Sequence, residues 1–141
     1  MMDPVTTMKD PGPYATWRGE EYALLRIRGR DVLLARTPTS PGPEWERQEP
    51  AWLLPVGPED VEEIVRYTYP GEYRVIPVDV GPSSRGRYQL WIQRKDLPRN
   101  AGIGEYYDQW LVIHLVDADD PDLTFHEVRR PTTYDWRPPE N

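Results

Sequence analysis

The chain of 141 residues has no cysteine, a single phenylalanine, two lysines and two histidines. Lack of cysteine excludes disulfides, a thiolate nucleophile and a zinc-thiolate site, and fits a reducing compartment. No stretch approaches the roughly 20 consecutive apolar residues of a membrane-spanning helix. The opening segment, MMDPVTTMKDPGP, has no basic start followed by an apolar run, so no secretory leader is read in it. A cytoplasmic location with no membrane segment is the expectation. Basic charge is outweighed too: 24 Asp and Glu against 17 Lys and Arg leave a net charge of −7. Nucleic-acid binders draw most of their affinity from neutralising phosphates, so a nucleic-acid partner is not expected.

The side chains that carry chemistry are few. His114 lies inside LVIHLV, with Ile113 and Leu115 pointing to the opposite face, and reads as a hydrogen-bonded structural histidine. Ser83 and Ser84 lack the Gly-x-Ser-x-Gly elbow that exposes a nucleophile. The stretch GIGEYY, starting at Gly102, has neither a Walker lysine nor the third glycine of a dinucleotide fingerprint. DADDPD, Asp117 to Asp122, resembles a hard-cation loop only in composition. A calcium loop bends at a glycine in sixth place, where this chain has Asp122, and Glu127 arrives too early to close the shell. A solvated acidic turn is the plainer reading. The expectation is no enzyme, no cofactor and no metal.

What is abundant is turn chemistry and aromatic bulk: seventeen prolines, ten glycines, six tryptophans and nine tyrosines. These argue for many short strands with punctuated connections. From Glu21 to Arg28, Ala23, Leu25 and Ile27 alternate with Tyr22, Leu24, Arg26 and Arg28, a period of two with one face buried. RGRD at Arg28 gives a tight hairpin with Gly29 where a positive φ is needed. YQLWIQR alternates again, from Tyr88 to Arg94. WLVIHLV, Trp110 to Val116, is apolar throughout and is expected to be the most buried strand, with TFHEVRR pairing to it across DADDPD. One short α-helix is expected at about 58–67. Pro58 and the following acids suit a first turn, and Val61, Ile64 and Val65 form a narrow stripe.

TWRGEEY near Thr16 and TYPGEY near Thr68 match, and the alignment brings RGR over RGR once a longer loop in the second copy is allowed for. Arg36 to Trp52 and Arg94 to Trp110 also have equal spacing. Self-similarity near 55 residues suggests two similar small antiparallel β-units. The organisation expected is a flexible segment at 1–13, a first unit at 14–67 with the helix, a second at 68–130 packed on it, and a proline-rich tail at 131–141. The hairpin-rich halves, with GPEDVEEI as a helical turn, resemble SH3-like or Tudor-like bent sheets or partial barrels from Tyr14 to about Val116.

YATWRGEEY, RGRDVLL and a following tryptophan, succeeded by a second such unit, also resemble the small acidic immunity proteins of actinobacterial polymorphic-toxin systems. That resemblance implies a non-catalytic protein binder that inhibits a cognate toxin; a monomer in the free state is the default expectation. Two acidic loops have the composition of a plug for a basic cleft: Glu44, Trp45, Glu46 and Glu49, with Trp45 as anchor, and Asp117, Asp119, Asp120 and Asp122. The rival is an SH3-like nucleic-acid- or peptide-binding module. Its stacking face would be Trp17, Tyr22, Arg26, Arg28 and Trp91.

Overall fold

The computed structural model describes residues 8–98, 102–106 and 110–136. The chain is mainly β and forms two antiparallel sheets. It divides into two compact units, Gly12–Arg66 with the stretch from Arg129 onward, and Tyr67–Val128 with the residues up to Pro11. The stretch from Arg129 thus belongs with the N-terminal unit, and the chain passes between units at Pro11–Gly12, at Arg66–Tyr67 and again at Val128–Arg129.

The first sheet is built from β1 (Gly12–Trp17), β2 (Glu20–Ile27), β3 (Arg30–Ala35), β4 (Glu46–Gln48), β5 (Ala51–Pro55), β6 (Ile64–Thr68) and β13 (Val128–Pro131), in the order β13-β6-β1-β2-β3-β5-β4. The second contains β7 (Pro70–Tyr73), β8 (Ile76–Pro82), β9 (Arg87–Gln93), β10 (Glu105–Tyr106), β11 (Leu111–Asp117) and β12 (Leu123–Phe125), in the order β12-β7-β8-β9-β11-β10. With β13 set aside, the two orders correspond strand for strand. Four hairpin turns open on an arginine at positive φ: Arg18-Gly19, Arg28-Gly29, Arg74-Val75 and Arg85-Gly86. Two left-handed residues in a row match the right-handed twist of the flanking strands.

Several expectations change. The 58–67 helix is absent: only Pro58–Asp60 forms a 3-10 turn, with Asp60 Oδ2 accepting the Gly57 N–H at 2.8 Å. After it the backbone is extended. Thr16 N–H donates to Glu63 O and Glu62 N–H to Thr16 O, both at 2.9 Å, so these groups join the sheet. Val65 and Tyr67 are buried around an exposed Arg66, a period of two. Val61, Ile64 and Val65 have helical spacing, but in the strand Ile64 and Val65 point to opposite faces, and β-branching favours the strand.

In β2 the covered face is that of Leu24. Leu24 is 1% exposed and Leu25 36%. Leu24 stands opposite Leu33, and Leu33 opposite Leu54, so these three stack across β2, β3 and β5 with Ala15 and Ala35. WLVIHLV is not the most buried strand. Trp110 is 70% exposed and Leu115 faces solvent, while Leu90 and Ile92 of β9 are fully covered. β11 lies next to the edge strand β10, whereas β9 is flanked by β8 and β11, which accounts for the difference. The stretch after DADDPD pairs with β7 and not β11: Phe125 stands opposite Gly71. There its ring meets Tyr88 edge-on at 5.1 Å and Tyr69 at 6.3 Å.

Candidate partner-binding groove

The first acidic loop does not present Trp45. Its indole is 5% exposed and sits in the core cluster of Ala15, Leu24, Leu33, Ala35 and Leu54. Trp17 meets it edge-on at 5.6 Å and Tyr22 lies tilted at 4.9 Å. Burial removes Trp45 from the surface as an anchor, and its Nε1–H has no hydrogen-bond acceptor among the described residues. The acids around it engage arginines of their own unit: Glu44 with Arg18 at 2.9 Å, Glu46 with Arg30 at 3.3 Å, and Glu49 with Arg47 at 2.8 Å. The hydrogen bond from Arg47, and then its charge, holds the Glu49 carboxyl below the usual glutamate value.

The second acidic loop belongs to the other unit and is folded on itself. Asp120 N–H donates to Asp117 O at 3.1 Å, and Asp120 Oδ1 accepts the Asp122 N–H at 2.9 Å. Asp120 Oδ2 accepts the Tyr73 hydroxyl at 3.0 Å, and Asp122 pairs with Arg74 at 3.0 Å. Burial, with help from Asp120, pushes the Tyr73 phenol up. Asp117 and Asp119 remain exposed. Among the described residues no three His, Cys, Asp or Glu side chains gather as a metal site. His114 accepts the Gly104 N–H at Nδ1, 2.9 Å away, and its ring lies against Tyr73.

The stacking face is divided as well. Trp17 and Tyr22 come together, but around Trp45. Arg28 is exposed at a turn, and Trp91 is half-buried in the other unit. Arg26 donates Nε to Asp31 Oδ1 at 3.0 Å and an Nη2 hydrogen to Asp135 O. Asp31, only 8% exposed, also accepts the Tyr134 hydroxyl at 3.0 Å. A buried carboxylate is tolerable with such partners, and this one ties the tail to β2 and β3.

What sequence reading missed is the tail. Thr132 N–H donates to Ile64 O at 3.0 Å, extending the pairing of β13 with β6. Tyr134 and Trp136, edge-to-face at 4.9 Å, pack on the core cluster. Between this tail and the segment at 58–64 lies an open groove of about 390 Å³. Val61, Glu62 and Glu63 line it from one segment, Thr133, Tyr134 and Trp136 from the other. Glu62 and Glu63 are exposed; Glu63 shares Arg129, at 3.6 Å, with Glu21, and no described basic side chain bridges Glu62. The cue in the sequence was YDW, two aromatics spaced by one residue in a proline-rich stretch.

Fold and groove together define a two-unit, all-β protein with an acidic, aromatic-walled cleft in its N-terminal unit. No protein-family model matches the chain, and neither a curated protein nor a solved structure matches it. Among the described residues, no helix is long and apolar enough to cross a membrane.

Proposed function

We propose that the protein is a non-catalytic, protein-binding module that inhibits a cognate toxin stoichiometrically through acidic and aromatic surface. One observation carries this reading. The exposed acids Glu62 and Glu63 stand at an aromatic groove with, among the described residues, only Arg129 against them, while the acids of the loop at 44–49 already have arginines. Toxins that act on nucleic acid or nucleotides present basic clefts, and an acidic partner associates with them quickly by electrostatic steering. On this reading the free protein is a cytoplasmic monomer and needs no cofactor. The shared strand order and the arginine-led turns support reading the units as two copies of one β-unit. The stacking-face alternative is weaker, because Trp17, Tyr22 and Arg26 already have partners within the unit.

The test is a tagged pull-down from the native host at moderate salt, followed by rescue. Recovery of one protein in a one-to-one complex that forms more slowly as salt rises, and rescue of cells expressing its toxic domain, is the expected outcome. Recovery of nucleic acid, or a complex without rescue, overturns the inhibitor reading.

A further inference from the structure

The groove of the N-terminal unit has the chemistry of a guanidinium receptor. Glu62 supplies an exposed carboxylate that no described cation bridges, and Glu63 one that is half-committed to Arg129. Tyr134 and Trp136 meet edge-on, forming a corner of two ring faces. Arg26 already lies over Tyr134, 5.8 Å from the ring centroid, while no described cation stands over Trp136. Guanidinium satisfies both features at once, because it hydrogen-bonds a carboxylate in its plane and stacks on an aromatic face. An ammonium ion does the first well and the second less well. Phosphate-bearing ligands are repelled by the same carboxylates.

Two further observations narrow the occupant. A groove of about 390 Å³ is at the small end of ligand sites, suited to one long side chain and its flanking backbone. The neighbouring sheet edge is poorly suited to strand addition, because β13 carries Arg129, Arg130 and Pro131 along it. Affinity must come from a side chain seated in the groove and not from backbone pairing.

We infer that this groove binds an arginine side chain carried on an extended segment of a partner protein, held by Glu62 and stacked on Trp136. The inference deepens the protein-binding reading and rests on it for the source of that segment. Tyr134 and Thr133 shape the slot, and Val61 provides an apolar wall for the arginine methylenes.

The test uses the full chain, isotope-labelled, and a blocked pentapeptide of sequence ARPRA, with AEPEA as its acidic counterpart. The Trp136 indole N–H signal should move along a saturating curve with ARPRA and stay in place with AEPEA. Glu62→Gln should weaken ARPRA binding at least tenfold. Asp79→Asn, which removes an exposed carboxylate on β8 in the other unit, should change it less than twofold. Trp136→Phe keeps an aromatic wall if Trp136→Ala fails to fold, and should weaken binding by a smaller factor than Glu62→Gln. An unmoved Trp136 signal, or equal weakening by Glu62→Gln and Asp79→Asn, overturns the inference in favour of diffuse charge attraction. The two readings fail separately. A toxin complex that tolerates Glu62→Gln, with ARPRA inert, removes the groove alone; saturable ARPRA binding with no toxin complex removes the inhibitor reading alone.

Discussion

Tyr134 donates its hydroxyl to Asp31 Oδ1 at 3.0 Å, across 103 positions of the chain. The contact joins the tail to the start of β3, and it lies next to the groove through Tyr134 itself. Tyr134→Phe removes that bond but leaves Asp31 its partner Arg26. A loss of about 1.5 kcal/mol is expected, the low end for a hydrogen bond to a charged group. Urea denaturation of the variant checks it; an unchanged midpoint means the tail contributes nothing through this bond.

The same tyrosine predicts an alkaline response. Burial first, and the Asp31 bond second, push the Tyr134 phenol above its ordinary 10.0. The folded state therefore keeps this proton longer than the unfolded state does. Its stabilising contribution is complete below the unfolded value and is lost as pH rises from there through the raised folded value. Stability measured against pH should decline on that limb, less steeply in Tyr134→Phe. The limb should not vanish, because Tyr22 and Tyr73 are shifted upward too.

Trp45 is a core residue, and its substitution should show in stability before binding. Trp45→Ala is expected to cost about 3–5 kcal/mol, the range for large aromatic truncations. Trp45→Phe should cost distinctly less, because it also removes the buried indole N–H that has no acceptor among the described residues. Denaturant midpoints of the two variants decide the matter. A Trp45→Ala protein as stable as the parent would contradict the packing on Trp17 and Tyr22.

Val75 stands at φ 61° at the tip of the β7–β8 hairpin and is 89% exposed. The other three hairpins place glycine at this point. A β-branched residue there is strained by about 1–3 kcal/mol, and glycine returns part of the gain through a more flexible unfolded chain. Val75→Gly should raise stability by about 1 kcal/mol on balance. Val75→Ala, which keeps the left-handed backbone and a Cβ, should gain less. A Val75→Gly protein that melts lower than the parent refutes the strain.

Gly71 allows β12 to approach β7. A Cβ on Gly71 would lie 2.2 Å from Thr124 O and 2.6 Å from the Phe125 Cβ. Gly71→Ala should therefore push β12 away, uncover Phe125 and raise amide exchange at His126, whose N–H donates to Pro70 O. Exchange unchanged at His126 would show that the strand absorbs a methyl group.

Part of the second sheet, the strand YQLWIQR above all, was legible because its periodicity is clean, whereas the turn at Arg74-Val75 between β7 and β8 was not. Ile76, Val78 and Val80 are buried on β8, as are Tyr88, Leu90 and Ile92 on β9. RGR marks both second hairpins, with Arg28-Gly29 and Arg85-Gly86 at positive φ. The matching of TWRGEEY to TYPGEY misled on register: Gly19 lies in a turn and Gly71 within β7. Composition shows that a glycine is needed, not whether a turn or a neighbouring strand needs it. The groove was hidden for a related reason. Its two banks are some seventy positions apart in the chain, and neither has a recognisable motif alone.

By itself the sequence determined a short-stranded, antiparallel β protein with tight arginine-glycine turns and an acidic balance. Those properties follow from local sterics, period-two patterning and charge count. Only the tertiary structure decided which face of β2 is covered, that Trp45 is interior, and that the tail walls a groove. Alternation assigns side chains to two faces but does not say which face meets a partner. Here that choice is made by Leu33 and Leu54 on adjacent strands and by Trp45 from a loop. Tyr134 and Trp136, from the far end of the chain, complete the cover.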